Sequence, residues 1–264
     1  MNAQATILQE IFGQKQIRVK EAKKGFDYRE FVTRAENFAE TITGKRFRNA
    51  FSDKTRINII AEIKAASPSN GIIRENIDVG QIAHTYEESG ASAISVLTEE
   101  DNFGGSVDNL LAARNLTDIA ILRKDFIFDE FQIYESVLIC ADAILLIVSM
   151  LEDSQLDELY SLATNLKLDV LVEVHNLEEL KRARNLGAKI IGVNNRNLHT
   201  FEVSLDTSRE LIEHAPKNSL MIAESGLKTK EDLVELRNLG FGGFLIGESL
   251  MTAENPGEML KALQ

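Results

Sequence analysis

Two residues of opposite charge stand in an apolar segment, IAEIKAASPSNG, at positions 60–71. Glu62 and Lys64 are two positions apart, so on a β-strand their side chains point to the same face. Burying a charge is costly unless it is paired, and a Ser-Pro-Ser loop follows the pair at once. A carboxylate beside an ammonium group can accept and donate protons, so this segment is predicted to do acid–base chemistry.

Short apolar segments recur after about residue 57 and are separated by longer amphipathic segments. This alternation is typical of repeated β-α units. The apolar segments start about 20 to 33 residues apart, which leaves room for a strand, a crossover helix and two short loops. Eight such segments can be counted: INIIAEIKA, ASAISVLT, IAILRKDF, AILLIVS, DVLVEV, KIIGVNN, SLMIAES and GFLIGES.

Eight β-α units predict an α/β fold, a closed (β/α)8 barrel of the TIM-barrel type. An open doubly wound sheet shares the same local signals. The barrel is favoured by the count of eight and by the first strand, which ends in Ala-Ser-Pro-Ser where a dinucleotide-binding sheet has a G-x-G-x-x-G turn. We therefore expect a single domain over residues 1–264, with an N-terminal helical extension at 1–57 and the barrel at 58–264.

Inward-pointing polar residues are predicted at the carboxyl ends of several strands. Side chains alternate between the two faces of a strand. If Glu62 and Lys64 point inward, the same alternation on the other strands predicts four further inward polar residues: Lys124, Glu173, Asn194 and Glu224. The active sites of such barrels lie at this end. The alternative is a stabilising ion network, but each buried ion costs several kcal/mol unless it is well paired, so a catalytic mouth is the favoured interpretation.

The last two strands are predicted to form an anion site. Strand 7 runs into Ser225-Gly226, and strand 8 runs into Gly247-Glu248. Small residues at these positions allow backbone N–H groups to approach a phosphate at the start of a helix. Each glycine could also be an ordinary turn residue, but their occurrence on adjacent strands favours the phosphate site.

The amino-acid composition excludes some classes of binding partner. The chain has 264 residues, 44% of them apolar, and a net charge of −12, which argues against a nucleic-acid or anionic-membrane surface. The N-terminus lacks the uninterrupted apolar stretch of a signal peptide or membrane span. The single cysteine, Cys140, cannot form an internal disulfide. We expect a cytoplasmic protein with no nucleic-acid or membrane partner.

Other residues are weaker candidates. Phe103 and Phe126 either line an apolar pocket for an aromatic substrate or pack in the core. The histidines lack metal-ligand spacing, so no metal site is predicted, and we interpret them as surface or helix-end residues: His84, His175, His199 and His214.

Seven ordered motifs resemble those of the indole-3-glycerol phosphate synthase family of tryptophan biosynthesis. They are IAEIKAASPSNGIIRE, SVLTEEDNFGGS, LRKDFIF, LVEVHN, IGVNNRNL, IAESGL and LIGESLM. The match covers residues 58–252. The resemblance implies a (β/α)8 barrel and a carbon–carbon lyase, specifically a carboxy-lyase. Such an enzyme converts 1-(2-carboxyphenylamino)-1-deoxyribulose 5-phosphate to indole-3-glycerol phosphate, carbon dioxide and water, with no metal or organic cofactor.

The resemblance also implies roles for the inward residues. Lys124 matches the general acid that protonates the substrate ketone, and Glu173 matches the group that stabilises the positive charge on the aniline nitrogen and ring. Glu62 and Lys64 match residues linked to proton transfer and phosphate positioning. Asn194 and Glu224 match residues that orient the substrate. The group that serves dehydration is left open.

Binding residues are implied in the same way. The family's phosphate-binding loops fall on Ser225, Gly226, Gly247 and Glu248, where Glu248 is expected to contribute only through its backbone N–H. Positions near the substrate carboxylate fall on Ser67 and Arg196. The apolar walls around the ring fall on Phe103, Phe126, Leu145 and Leu198.

Two other functions share part of this pattern. A phosphosugar isomerase or another phosphate-binding barrel would use the same loops on strands 7 and 8, and an inactive barrel could serve as a scaffold. For the synthase, the expected partner is a phosphorylated aromatic small molecule. We expect a monomer, and docking with a neighbouring pathway enzyme is left open.

Overall fold

Eight parallel strands close into a barrel, as predicted. The structure is a computed structural model that describes residues 7–25, 27–69, 71–197 and 200–264. Each strand pairs with its neighbours in chain order, and the last strand pairs with the first. Strands β1 to β8 comprise Ile59–Ile63, Ala93–Leu97, Ala120–Lys124, Ala143–Ile147, Asp169–Val174, Ile190–Asn194, Leu220–Glu224 and Gly243–Ile246.

Helices surround the barrel. Within the described residues, helices α1 to α12 comprise Ile7–Ala22, Tyr28–Thr41, Arg46–Asn49, Val79–Glu88, Val107–Leu116, Glu130–Leu138, Asp153–Asn165, Leu177–Leu186, Asp206–Ile212, Lys230–Leu239, Glu248–Met251 and Pro256–Leu263. Side-chain oxygens accept N–H groups at the starts of many of these helices, and these N-caps include Asp78, Ser106, Asp129, Asn176, Thr229 and Asn255. None of the described helices is long and apolar enough to cross a bilayer.

The alternation of side chains separates the barrel interior from the outer helix layer. On β3, Ala120 and Leu122 belong to the cluster inside the barrel, whereas Ile121 packs in the outer core. Since successive side chains point to opposite faces, Lys124 points inward and Arg123 points outward. The same alternation places the charged residues of the other strands at the inner rim.

The two ends of the barrel differ in polarity. At the amino ends of the strands, Phe47 of α3 and Phe51 join the interior cluster, and their ring centroids are 5.3 Å apart. These rings fill that end with apolar side chains. The inward charges collect at the opposite end, where the strands finish.

Helix α1 lies against the loops at the carboxyl ends of the strands. Lys15 Nζ is 2.9 Å from both Glu100 and Asp125, and Arg18 binds Asp101 through two nitrogens. Helix α2 packs beside α6, and Phe31 stacks on Phe131 there with centroids 5.1 Å apart. The helices predicted before the barrel are therefore present, and α1 reaches the site end.

Candidate active site

One large cavity opens at the carboxyl ends of the strands, with a volume of about 720 Å³. Every residue predicted for the site lines this cavity except Leu198, which lies outside the described residues. The cavity walls thus combine inward strand residues with the loops that follow them. This is the end of the barrel at which parallel β/α barrels carry their active sites.

The pair on β1 forms an ion pair inside the cavity. Lys64 Nζ lies 2.9 Å from Glu62 Oε1, and the Ser95 hydroxyl approaches Glu62 Oε2 at 3.5 Å. A Cβ atom on Gly247 would come within 2.5 Å of Glu62 Oε1 and 3.1 Å of Lys64 Nζ. The absence of a side chain on Gly247 therefore makes room for both charges.

Lys124 occupies the centre of a second charged group. Its Nζ donates to Glu173 Oε2 at 2.7 Å and to Glu224 Oε2 at 3.0 Å. Asn194 Nδ2 donates to the other oxygen of Glu173 at 3.1 Å. The barrel thus brings together four residues from β3, β5, β6 and β7, as their inward direction predicts.

Mutual charge and burial shift the pKa values of this group. Burial alone would lower the pKa of Lys124, but the surrounding Glu173, Glu224 and Glu62 outweigh it and raise that pKa. Burial would raise the pKa of Glu173, but Lys124 and His175 outweigh it and lower that pKa well below its usual range. Burial and the Glu173 charge raise the pKa of Glu224 to about 7. The site therefore holds a protonated amine, an anion and a carboxyl group that can exchange a proton near neutral pH.

Glu224 fits only because the neighbouring strand carries a glycine. A Cβ atom on Gly192 would collide with Glu224 Oε1, and that oxygen has no hydrogen-bond partner among the described residues. Gly192 stands at an inward position of β6, two residues before Asn194. Its role is to leave space for the carboxylate rather than to adopt an unusual backbone conformation.

His175 is a site-edge residue that sequence reasoning missed. Its imidazole is largely buried, with Nε2 3.2 Å from Glu173 Oε1 and Nδ1 2.9 Å from Glu179 Oε2. Of the two predicted positions, surface or helix end, the helix end is the correct one, since His175 lies one residue before the N-cap of α8. His84 and His214 are exposed as expected, and His199 lies outside the described residues. Extending the inward alternation of β5 by two positions beyond Glu173 would have identified His175.

The loop after β7 has an unusual backbone. Ser225 has φ +66° and Gly226 has φ +77°, and a Cβ atom on Gly226 would collide with Val203. The Ser225 hydroxyl donates to Asn194 Oδ1 at 2.8 Å, which ties the loop to the Lys124 group. A non-glycine residue with positive φ stores strain and is found disproportionately at functional sites.

The loops after β6 and β8 contact each other across the cavity. Arg196 Nη2 lies 3.7 Å from Glu248 Oε2, so the Glu248 side chain is directed toward this guanidinium. Gly247 precedes α11, whose first N–H groups have no acceptor within the helix. A small anion can therefore meet backbone N–H groups at this position.

An apolar wall faces the charged groups. The rings of Phe103 and Phe126 lie 6.1 Å apart, and Leu145 lines the same cavity. Ser67 belongs to a short antiparallel ribbon, Ala66–Ser67 with Gly71–Ile72, which covers one side of the mouth. Sequence reasoning missed several further lining residues, which carry no signal in their local pattern: Ile11, Leu97, Lys228, Thr229 and Asp232.

Three acidic residues whose carboxylates could together bind a metal ion lie outside this cavity. Within the described residues, Glu99, Glu100 and Asp101 place carboxylate oxygens close enough to hold a metal ion. Glu99 already accepts backbone N–H groups, including that of Phe103 at 3.0 Å. Glu100 and Asp101 pair with cations of α1, so this cluster anchors the N-terminal helix.

Known proteins are similar to this sequence over most of its length. A family model described as indole-3-glycerol phosphate synthase matches residues 8–263. An indole-3-glycerol phosphate synthase of Carboxydothermus hydrogenoformans is 42% identical over 260 residues, covering 97% of this chain and 98% of that protein. One from Koribacter versatilis is 48% identical over 223 residues, covering 84% of this chain and 86% of that protein.

A solved structure with a similar fold is thiamine phosphate pyrophosphorylase from Pyrococcus furiosus. It matches with a TM-score of 0.59 and 18% sequence identity, covering 80% of this chain and 95% of that chain. At that identity the likeness supports the barrel fold alone. The family model matches the chain from α1 to α12, both relatives are more than 40% identical over most of its length, and the chain belongs to the indole-3-glycerol phosphate synthase family.

Proposed function

We propose that the cavity converts 1-(2-carboxyphenylamino)-1-deoxyribulose 5-phosphate to indole-3-glycerol phosphate by ring closure, decarboxylation and dehydration. One observation carries this proposal: the Lys124 ammonium group lies between Glu173 and Glu224, within a cavity that also contains the phosphate loops and the Phe103 and Phe126 wall. A cation placed among carboxylates suits proton donation to a carbonyl oxygen. The apolar wall suits an aromatic ring.

Lys124 serves as the general acid of ring closure. The ring carbon that bears the carboxylate attacks the ketone carbon, a carbon–carbon bond forms, and the ketone oxygen takes a proton from Nζ to become a hydroxyl group. The electron pair leaves the aniline nitrogen, so positive charge develops there. Glu173 is held as an anion by Lys124 and His175 and stabilises that charge as it develops.

Decarboxylation and dehydration complete the reaction. Loss of carbon dioxide returns an electron pair to the ring and restores its aromaticity. The hydroxyl group then leaves as water once it is protonated, and loss of a ring-carbon proton completes the indole double bond. Lys64 is the donor and Glu62 the acceptor in this step, because they form an ion pair on β1 that is separate from the hydrogen bonds of Lys124. Asn194 and Glu224 orient the substrate.

Three groups of residues hold the substrate. Its phosphate lies against the backbone of Ser225, Gly226, Gly247 and Glu248. Its carboxylate lies near Arg196 and Ser67. Its ring lies among Phe103, Phe126, Leu145 and Leu198. The strained turn at Ser225 and the start of α11 support the phosphate position, since both line the cavity and the first N–H groups of a helix have no acceptor within it.

The chain is proposed to act as a single domain, with residues 1–57 as a helical extension of the barrel at 58–264. The contacts of Lys15 and Arg18 with loops of the barrel support this. The described part of one chain supplies the cavity-lining groups named above other than Leu198, so the site needs no second copy, which supports a monomer. A single cysteine suits the cytoplasm. Size-exclusion chromatography with light scattering tests the oligomeric state.

Turnover of the purified protein tests the function. With the carboxyphenylamino-deoxyribulose phosphate as substrate, indole fluorescence should appear, and Lys124→Ala should abolish it without changing the circular dichroism spectrum. A complete lack of fluorescence across the neutral pH range would contradict the proposal. Tighter inhibition by plain ribulose 5-phosphate than by a reduced, non-reacting aromatic analogue would instead indicate a phosphosugar enzyme.

A further inference from the structure

Glu173 is held on both of its oxygens by cationic or polar groups. Oε2 accepts from Lys124, and Oε1 accepts from Asn194 and faces Nε2 of His175. The two cations therefore approach opposite edges of one buried carboxylate. Among the described residues, the imidazole forms ion pairs with two groups, Glu173 of β5 and Glu179 of α8.

Glu179 is itself fixed in place. Its Oε2 accepts the backbone N–H of His175 at 2.8 Å, its Oε1 accepts from Asn176 Nδ2 at 2.7 Å, and its own N–H donates to Asn176 Oδ1 at 3.0 Å. These bonds belong to the start of α8 and use no atom of the imidazole. The helix start is therefore held without the ring, which leaves its contact with Glu173 to be explained.

We propose that His175 is a positioning residue for ring closure, which keeps Glu173 anionic and oriented from its Oε1 edge while Lys124, at its Oε2 edge, gives up its proton. This inference rests on the proposed function, since it concerns the moment at which Lys124 becomes neutral. His175 touches Glu173, and Glu173 acts on the substrate.

The need for a second cation follows from charge balance. Before the proton moves, Lys124 and His175 both carry positive charge beside Glu173. After the ketone oxygen takes the proton, Lys124 is neutral, and a buried carboxylate with no cation is strongly disfavoured. Imidazolium at position 175 remains in place, so Glu173 stays available to the developing positive charge on the substrate.

Two further features agree with this role. Burial would lower the pKa of His175, but Glu173 and Glu179 outweigh it and raise that pKa to about 9, so the ring is charged at neutral pH. Nε2 lies within ion-pair distance of Glu173 but makes no hydrogen bond of good geometry with any described residue. Catalytic hydrogen bonds are often misaligned without substrate and tighten in its complex.

The test compares His175→Gln and His175→Asn with the wild type. Gln reaches Glu173 without a charge, whereas Asn is too short to reach it and keeps only a contact toward Glu179. Removing the charge should lower kcat by about 10- to 100-fold with little change in KM, since Glu173 acts mainly in the transition state. His175→Asn should be the slower variant. His214→Gln, at an exposed position, is the matched control and should keep the wild-type rate.

The pH profile separates a charge effect from a structural one. The wild-type kcat should fall toward that of His175→Gln as pH rises through about 9, because the imidazolium loses its proton there. A constant ratio of the two rates at all pH values, or a variant as fast as the wild type, would overturn the positioning role while leaving the proposed function intact.

A titration without turnover provides a second readout. The His175 ring resonance should titrate well above the ordinary value of about 6.5 and should move down in Glu173→Gln. Titration at the ordinary value would overturn the inference. Absence of turnover in the wild type would overturn the proposed function, and the inference with it, even if the resonance shows the coupling to Glu173.

Discussion

Arg123 and Lys124 are consecutive residues of β3, and each lies at the centre of a buried charged cluster. Arg123 points into the outer layer and uses all five of its N–H groups, which bond to Thr98, Gln132, Ser136, Asp125 and Glu135. Lys124 points into the mouth and uses two of its three donors among the described residues. Its cluster also leaves Glu224 Oε1 without a hydrogen-bond partner in the described part of the chain.

The difference distinguishes a structural ion cluster from a catalytic one. Both clusters bear the cost of burying charge, but the outer one is saturated with hydrogen bonds, as a stabilising network must be. Within the described residues, the inner one leaves one Lys124 donor and Glu224 Oε1 without a hydrogen-bond partner. Unsatisfied buried polar atoms in a native structure call for an explanation, and the catalytic role proposed for this cluster supplies one.

The largest expected effect is on Lys124. Replacing it with Met should lower kcat by about 1,000-fold or more, because ring closure loses its proton donor. The free energy of unfolding should change much less than kcat suggests, because Glu224 can take up a proton when Lys124 is gone. Indole fluorescence and urea denaturation measure the two quantities.

Arg123→Met should show the opposite pattern. Removing the guanidinium leaves Glu135 without its cation and Asp125 with Lys15 alone, which should cost about 3 kcal/mol of unfolding free energy. The folded fraction should still turn over substrate, since Arg123 does not line the cavity. If Arg123→Met lost kcat but kept its free energy of unfolding, the outer cluster would not be the purely structural one.

Glu224→Gln tests how much the buried charge of Glu224 lowers the free energy of unfolding. The folded-state pKa of Glu224, about 7, lies above its unfolded value, so its contribution to stability is present at low pH and lost as pH rises through about 7. Between about pH 4.5 and 7.5 the variant should gain about 3 kcal/mol of unfolding free energy relative to the wild type. Denaturation at several pH values measures the gain, and the exposed Glu254→Gln should show none.

Gly192→Ala is a smaller disturbance of the same cluster. The added methyl group should displace the Glu224 carboxylate from Lys124 and lower kcat by about 10- to 100-fold, since small misplacements of catalytic groups have effects of this size. Gly13→Ala is the control, because nothing lies within 4 Å of a Cβ atom at that position. Equal activity of both variants would show that Glu224 need not stay on Lys124.

Much of this site could be predicted, because the alternation of side chains between the two faces of a strand depends only on the local backbone. The direction of Glu62 on β1 and of Glu173 on β5 follows from backbone geometry alone, and the cavity confirms both directions. His175 follows the same alternation two positions after Glu173, although metal-ligand spacing gives it no role. Lys15 could not be predicted, because nothing in its own segment indicates that α1 would bring it to Asp125.

The sequence by itself determined the eight β-α units, the end of the barrel that carries the charges, and the side chains that point inward. Only the tertiary structure decided which atoms meet. Lys124 pairs with Glu173 across 49 positions and with Glu224 across 100, and these distances depend on barrel closure and strand register. The reason is physical. The direction of each side chain is fixed by the local backbone of its strand, whereas the number of hydrogen bonds that a charged cluster makes depends on all the elements packed around it.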